Sequence, residues 1–337
     1  MLNKRNILFS ILLLGAQLIQ AQKVDYSVVS VPEEKGLALM QITASSDYVC
    51  MPEVKRSALP FLKSSKNVLN WLSSRIIDVS LDGKNIAYLS FRNNTTNVFI
   101  KELGKQGGSI QRTNRSYIID FSYSPDGNWI CFSERRGNTN QIFQTSAVSG
   151  YTCRQITSDN QDYSPVYSSD MKQLFFSRLE KKSVGIWSYD IQHNFLLNYT
   201  GGMNPCPAPD ATAFYCSRIN TEGRGEIWKI NYETGMEESI ISDRGRSFTS
   251  PVLSPNGEWI LFVGSSEIST SPESKSTYVN TDLFVVRTDG TDFTQITYHA
   301  ADDLSPVWSR DGRYIYFISQ RGDAEGIANI WRCNFNH

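Results

Sequence analysis

The stretch SYSPDGNWICFS, from Ser122 to Ser133, joins a tight polar turn to a run of apolar and aromatic residues. A proline followed by Asp-Gly is typical of a turn, because proline fixes φ and glycine adopts the positive φ that many tight turns need. The run WICF is apolar at every position, which is typical of a strand buried on both faces. The stretch therefore predicts a hairpin whose second strand is buried.

The same pattern recurs six times along the chain. The turn residues are Asp82, Asp126, Asp170, Asp210, Asn256 and Asp311, spaced by 44, 44, 40, 46 and 55 residues. Self-similarity at such a spacing is the signature of repeat architectures, including propellers. We therefore interpret the turn as part of the scaffold rather than as a catalytic motif.

Each repeat continues with two further strand patterns. An aliphatic residue precedes an aromatic one in the third strand, as in Ile142-Phe143, and the fourth strand ends in Thr or Ser, as in CRQIT. The sixth repeat lacks the fourth strand, whereas ALMQIT, residues 38–43, reads like a fourth strand without its first three. We predict an all-β, six-bladed β-propeller of four-stranded antiparallel blades, closed by an N-terminal strand that completes the last blade and removes the free edges.

The N-terminal residues are typical of a secretory signal peptide over residues 1–21. Lys4 and Arg5 precede a short apolar run and then small residues up to Ala21. The run is shorter than the roughly 20 residues of a membrane span, and no cysteine lies at the cleavage region for a lipid anchor. We expect residues 22–337 to form a single periplasmic or secreted domain, with residues 55–74 either an insertion or a displaced strand paired with residues 51–54.

Charge and cysteine spacing exclude several classes of partner and cofactor. The formal net charge is −1 and becomes −3 without Lys4 and Arg5, so we expect neither nucleic-acid nor anionic-membrane binding. The six cysteines are scattered singly, without a CxxC pair or a Cys/His cluster. We expect free, buried thiols, no metal or other cofactor, and a monomer without a membrane span.

The SPxxSPDG rhythm, the aromatic third strand and the RQIT ending resemble the TolB-like repeats. These are the propeller units of the periplasmic protein TolB and of the propeller domains of prolyl-oligopeptidase-type peptidases. The resemblance runs from about Gly36 to the C-terminus, and it implies a binding module whose partners engage near the mouth of the central channel. Met171 and Ala211 replace the turn glycine in the third and fourth repeats, so we expect those two turns to differ in type.

Residues with catalytic potential are few. The chain has no G-x-S-x-G elbow and no room for the further domain that a propeller-containing peptidase needs. Of three histidines, only His299 lies beside carboxylates, in the sequence TYHAADDLSP. This segment is either a solvated loop whose carboxylates cap backbone groups or pair with an arginine, or a catalytic or metal site.

Arginines follow the second strands. They are Arg92, Arg135, Arg136, Arg178, Arg218 and Arg321. In a propeller these loops and the connections between blades open on one face, here called the channel-mouth face, which also receives Asp159, Asp162, Asp243, Asp302 and Asp303. Either Arg–Asp pairs fasten one blade to the next, or spare arginines bind a carboxylate or a sugar acid.

These observations predict a non-enzymatic cell-envelope protein that engages a protein or glycan partner at the channel-mouth face. The predicted site residues are Arg135, Arg178, Arg218, Arg321, His299 and Asp303, with no catalytic or metal-binding residue. The long loop Ser265 to Thr281 and the segment TEGRGE point to the same face. The opposite face, built of short turns, is expected to leave little room for specificity. The alternative is a lyase or hydrolase of an acidic glycan that uses His299, Asp303 and the arginines.

Overall fold

A computed structural model describes residues 25–52, 75–105, 107–149, 152–181, 183–265 and 280–336. The predicted signal peptide and the segment 55–74 lie outside these residues, as does nearly all of the long loop after Ser265. Two short 3-10 helices, Pro32–Glu34 and Ser45–Asp47, flank the first strand, β1 (Met40–Gln41). Within the described residues, no helix reaches the length and apolarity needed to cross a membrane.

Six separate four-stranded antiparallel sheets account for all 24 strands of the described residues, β1 included. Blade one contains β2 (Ile77–Val79), β3 (Asn85–Arg92), β4 (Thr95–Glu102) and β5 (Ile110–Gln111). Blade two contains β6 (Ile118–Tyr123), β7 (Trp129–Arg136), β8 (Thr139–Ser146) and β9 (Cys153–Gln155). Blade three contains β10 (Asp162–Tyr167), β11 (Gln173–Leu179), β12 (Val184–Asp190) and β13 (Leu196–Gly201).

The remaining blades follow the same order. Blade four contains β14 (Met203–Pro207), β15 (Ala213–Ile219), β16 (Gly225–Asn231) and β17 (Glu237–Ile241). Blade five contains β18 (Phe248–Leu253), β19 (Trp259–Ser265), β20 (Thr281–Arg287) and β21 (Thr294–Gln295). Blade six contains β22 (Asp303–Trp308), β23 (Tyr314–Ser319) and β24 (Asn329–Asn334), with β1 as its outermost strand. The predicted six-bladed propeller and its closure by the N-terminal strand are therefore confirmed.

The closing strand repeats the hydrogen bonds of the other fourth strands. Thr43 Oγ1 accepts the amide of Ile330 at 2.8 Å, as Thr113 Oγ1 accepts the amide of Val98 in blade one at 3.0 Å. Gln41 Nε2 donates to its own Thr43 carbonyl at 2.7 Å, as Gln111 does to Thr113. The Gln-x-Thr ending is therefore a structural motif that holds the fourth strand against the third.

The recurring turn between the first and second strands is built by a serine and an acid. In blade one, Ser80 Oγ donates to Asp82 Oδ1 at 2.6 Å and accepts the amide of Asn85 at 3.0 Å. Blades two, three and six repeat this arrangement, and blade five repeats it with Asn256 as the acceptor. The turn therefore starts the second strand and carries no chemistry of its own.

The expectation that the turns of blades three and four differ in type is wrong. Met171 and Ala211 adopt φ of 62° and 56°, close to the 68° to 73° of the glycines at the same place in other blades. Their amides also donate to the carbonyls of Ser168 and Ala208, three residues back, as Gly83 does to Ser80. The flanking strands impose the turn, and the two side chains accept a left-handed backbone.

The left-handed backbone at Met171 and Ala211 is strained for residues with a side chain. We therefore expect Met171→Gly and Ala211→Gly each to stabilise the protein. A left-handed conformation costs an L-residue about 1–2 kcal/mol, and the added freedom of glycine in the unfolded chain offsets about 0.4–1 kcal/mol of that relief. We expect each substitution to raise the free energy of unfolding in urea by about 0.5–1 kcal/mol. The control Gly257→Ala has φ of 73°, and its Cβ would only touch Pro209 at the ordinary van der Waals distance of 3.7 Å, so it should destabilise through the backbone alone. Equal stability of all three variants would contradict the strain.

Apolar clusters pack between the blades. The largest joins blades one, two and six, through residues such as Ile77, Phe121 and Ile318. No disulfide joins any of the six cysteines, all of which lie in the described residues. Cys131, Cys206, Cys216 and Cys333 are buried among these clusters, as expected, whereas Cys50 and Cys153 are only half-buried.

Candidate functional site

Of the arginines predicted to follow the second strands, only Arg321 does. The others lie at the ends of those strands: Arg92, Arg135, Arg136, Arg178 and Arg218. Arg178 is 7% exposed, and its Nε and Nη2 donate to Asp162 Oδ1 and Oδ2 at 2.7 and 2.9 Å. Asp162 and Arg178 are register partners on β10 and β11. The guanidinium also stacks on the third-strand ring of Trp187, 4.4 Å from its centroid. Such a planar, bidentate and stacked contact leaves little of Arg178 for a ligand.

Arg218 repeats the arrangement in blade four. Its Nη1 and Nη2 each donate to Glu237 at 2.7 Å, and its Nε donates to the Gly201 carbonyl at 2.9 Å. It stacks on the third-strand Trp228 ring at 4.8 Å. Hydrogen bonds from Arg218 lower the pKa of Glu237 to about 2. This half-buried pair therefore stays charged at any physiological pH.

Arg321 is the most deeply buried of these arginines, with no exposed surface. Its Nη1 donates to Glu34 Oε2 at 2.9 Å, and its Nη2 donates to Asp303 Oδ2 at 2.5 Å. Burial raises the pKa of Asp303 to about 6, against the opposing charge of Arg321. Burial together with Asp303 and Glu34 raises the pKa of the nearby Asp282 to about 9. This cluster ties the N-terminal segment to blade six.

Hydroxyl groups also fasten neighbouring blades, in addition to Arg218 of blade four, which donates to the Gly201 carbonyl of blade three. Ser177 Oγ on blade three accepts the amide of Asn204 on blade four at 2.8 Å, and Ser217 Oγ on blade four accepts the amide of Ser250 on blade five at 3.0 Å. Asn204 and Ser250 lie at register shifts with φ of 54° and 59°, which turn their amides away from their own ladder. The serines that end the second-strand motifs of blades three and four, Ser177 and Ser217, were the sequence signal for this contact.

His299 is also a structural residue. It is 2% exposed, its Nδ1 accepts the amide of Ala301 at 2.9 Å, and its carbonyl accepts Asn280 Nδ2 at 2.6 Å. Burial and the charge of Arg321 lower the pKa of its imidazole, so the ring is neutral. Within the described part of the chain, no three His, Cys, Asp or Glu side chains are grouped so that they could hold a metal ion.

Arg135 differs from the other five predicted site residues because it is exposed. Its guanidinium lies 4.7 Å from the ring centroid of Tyr117, and it forms no ion pair within the described residues. Its amide donates to the Tyr117 carbonyl at 3.0 Å, which fixes the backbone beneath it. Arg135 is therefore a positioned cation with its donors open to solvent.

A hydrogen-bonded platform supports Arg135 where blades two and three meet. Asn140 Nδ2 donates to Gln161 Oε1 at 2.7 Å and to the hydroxyl of Tyr163, which donates in turn to Gln161 at 3.0 Å. Tyr163 is 4% exposed. Sequence periodicity placed Arg135 on this face. It did not reveal Tyr117, which contacts Arg135 within blade two, or the contact of Asn140 with Tyr163, which joins blades two and three. The structure thus brings together Arg135, Tyr117, Asn140, Gln161 and Tyr163. We call this set of residues the Arg135 platform.

Comparison with solved structures places the fold among TolB-type propellers. A structure assigned as TolB from Agrobacterium tumefaciens has a TM-score of 0.58 at 18% identity and covers 78% of this chain and 90% of that one. TolB from Acinetobacter baumannii also has a TM-score of 0.58, at 17% identity over 75% of this chain and 64% of that one. The resemblance seen in the repeats is confirmed as a likeness of fold.

Other similarities are more distant or partial. No family model matches the sequence. A tricorn protease homolog of Saccharolobus solfataricus is 23% identical over 140 residues, which are 41% of this chain and 13% of that protein. An oligogalacturonate lyase solved in complex with manganese has a TM-score of 0.53 at 12% identity and covers 78% of this chain and 90% of that one. Propellers of this shape thus occur with different activities, so the site must decide the function.

Proposed function

We propose that this protein is an exported, non-catalytic propeller of the cell envelope that binds a partner protein at the channel-mouth face through the Arg135 platform. The TolB-type fold supports a binding or scaffold role. Export rests on the N-terminal sequence pattern. The partner presents a carboxylate to Arg135, because an exposed guanidinium above a fixed aromatic ring recognises planar anions well.

One observation carries the location of the site. Of the six side chains predicted for partner binding, Arg178, Arg321, Asp303 and His299 are buried and Arg218 is held by Glu237. Arg135 alone keeps its guanidinium open to solvent. A partner that recognises a positive charge among these six residues therefore contacts Arg135.

The alternative, an enzyme that acts on an acidic glycan, has less support from the geometry. It requires His299 and Asp303 to reach a substrate, yet they are 2% and 0% exposed. Asp303 is paired with Arg321, and His299 accepts a backbone amide through Nδ1. Both residues serve the packing of the connection into blade six.

The binding site is tested with the charge reversal Arg135→Glu. A partner is captured from envelope extract by crosslinking to the wild-type protein, identified, purified and titrated against both proteins. We expect Arg135→Glu to weaken binding at least tenfold with an unchanged thermal midpoint, because Arg135 contributes no ion pair to the fold. The control Arg313→Glu removes an exposed arginine that is 74% accessible on the opposite face and should bind normally.

Three results would contradict this proposal. Unchanged affinity of Arg135→Glu would place the site elsewhere, and competition by an oligogalacturonate instead of the protein would make the partner a glycan. Turnover of that glycan by the wild-type protein would overturn the non-catalytic assignment.

A further inference from the structure

The face opposite the channel mouth contains a cleft of about 660 Å³ between blades one and two. The turns that hold Asp82 and Asp126 form one side, and the connection before β5 and the turn after β8 form the other. The expectation that short turns leave little room for specificity on this face is therefore wrong.

Three exposed aliphatic side chains line this cleft. Leu81, Ile110 and Val148 are 51%, 66% and 76% exposed. Half-buried Ile100 and Ala147 continue the apolar surface toward the blade core. Large aliphatic residues gathered in one concave surface mark a binding site more often than scattered ones do.

The charge of the cleft is negative. Glu102 is neutralised by Lys105 at 2.7 Å, but neither Asp82 nor Asp126 forms an ion pair within the described residues. Hydrogen bonds from Ser80 lower the pKa of Asp82. Burial raises the pKa of Asp126, but hydrogen bonds from Ser124 and Asn128 outweigh it, so the net shift is downward. Asp82 and Asp126 therefore stand ionised beside aliphatic side chains. The lining as a whole has three carboxylates (Asp82, Glu102 and Asp126) and two cations (Lys105 and Arg112), which leaves a net charge of −1.

Arg112 adds a donor at the same place. Its Nη1 donates to the Val148 carbonyl, which links the two blades across the cleft. Its Nε is buried and has no acceptor within the described residues. Because Nε has no exposed surface, it is not available to a ligand, and Arg112 contributes a positive charge to the lining of the cleft.

We propose that this cleft binds an extended segment of a partner protein in which lysine or arginine alternates with aliphatic residues. The aliphatic side chains contact Leu81, Ile110 and Val148. The cations pair with Asp82 and Asp126. In an extended chain successive side chains point to opposite sides. The aliphatic side chains of the bound segment can therefore contact the apolar surface of the cleft while its cationic side chains face the turns of Asp82 and Asp126.

The test uses an acetylated and amidated octapeptide of alternating Leu and Lys, labelled with a fluorophore and titrated by anisotropy. Asp82→Asn combined with Asp126→Asn removes the charges but keeps the turns, because Asn256 makes the same serine contact at 2.6 Å in blade five. The matched control is Asp170→Asn with Asp311→Asn, in equivalent turns outside the cleft. For the apolar wall, Val148→Ser is compared with Met236→Ser, which is 72% exposed elsewhere.

We expect the wild-type protein to bind the peptide, with at least tenfold weaker binding after the Asp82/Asp126 change and a severalfold loss for Val148→Ser. Both controls, and Arg135→Glu, should bind like wild type, so this result is independent of the site on the channel-mouth face. Absence of binding, equal affinity of the cleft variants, or equal affinity for Leu/Ser and Leu/Glu octapeptides would overturn the proposal.

Discussion

Deletion of residues Gln22 to Thr43 should destabilise the whole ring, with a loss of more than about 4 kcal/mol in the free energy of unfolding. The deletion removes β1 from blade six and leaves the edge of β24 unpaired, including the amide of Ile330 that Thr43 accepts at 2.8 Å. It also removes Glu34 from Arg321. Loss of one partner of a buried ion pair costs about 3–5 kcal/mol by itself. Urea unfolding followed by tryptophan fluorescence measures the change.

A variant that lacks only residues 22–24 is the control, and it should unfold like the intact mature chain. The contribution of the hydroxyl is isolated by Thr43→Val, which should cost about 1–2 kcal/mol because a buried amide loses its acceptor. Thr113→Val removes the equivalent bond in blade one and should cost a similar amount. An unchanged urea midpoint for the long deletion would show that β1 does not close the ring.

The propeller could be predicted because its determinants are local and repeated. The turn residues, the apolar second strand and the Gln-x-Thr ending each act within about 20 residues, so six copies reveal them. The segment MQIT could be assigned to blade six because Gln41 and Thr43 match Gln111 and Thr113. The type of the turns at Met171 and Ala211 could not be predicted from these two side chains. The flanking strands and the hydrogen bonds to the Ser168 and Ala208 carbonyls set the backbone geometry of the turns and override the side chains' preference against positive φ.

The role of the arginines could not be predicted from the sequence, because their ion-pair partners are far away along the chain or belong to no recognisable motif. Glu34 is 287 residues from Arg321, and no spacing rule connects them. Asp162 and Arg178 pair because β10 and β11 bring them into register, which depends on a bulge after Tyr163. Likewise, Arg135 is exposed and Arg178 is buried, although both lie at the end of a second strand in neighbouring repeats. Periodicity therefore located the face and its charges but not which charges are free.

Arg321→Met should be among the most damaging single substitutions in the protein. The methionine fills much of the same volume, but it leaves Glu34 and Asp303, which are 2% and 0% exposed, without their shared cation. We expect a loss of about 3–5 kcal/mol at pH 8 in urea unfolding. Arg313→Met removes an exposed ion pair with Asp311 and should leave stability unchanged within error.

The pH dependence separates the loss of charge from the loss of packing. Burial already raises the pKa of Asp303 to about 6, and without the guanidinium it rises further. A raised folded-state pKa means that the folded state binds the proton more tightly, so the stability of the variant falls as pH rises toward that pKa. The deficit of Arg321→Met should therefore shrink between pH 8 and pH 5, and Asp303→Asn in the same chain should recover part of it at pH 8. A deficit independent of pH, without rescue by Asp303→Asn, would show that Arg321 acts through packing on Phe317, whose ring centroid lies 5.3 Å from its guanidinium.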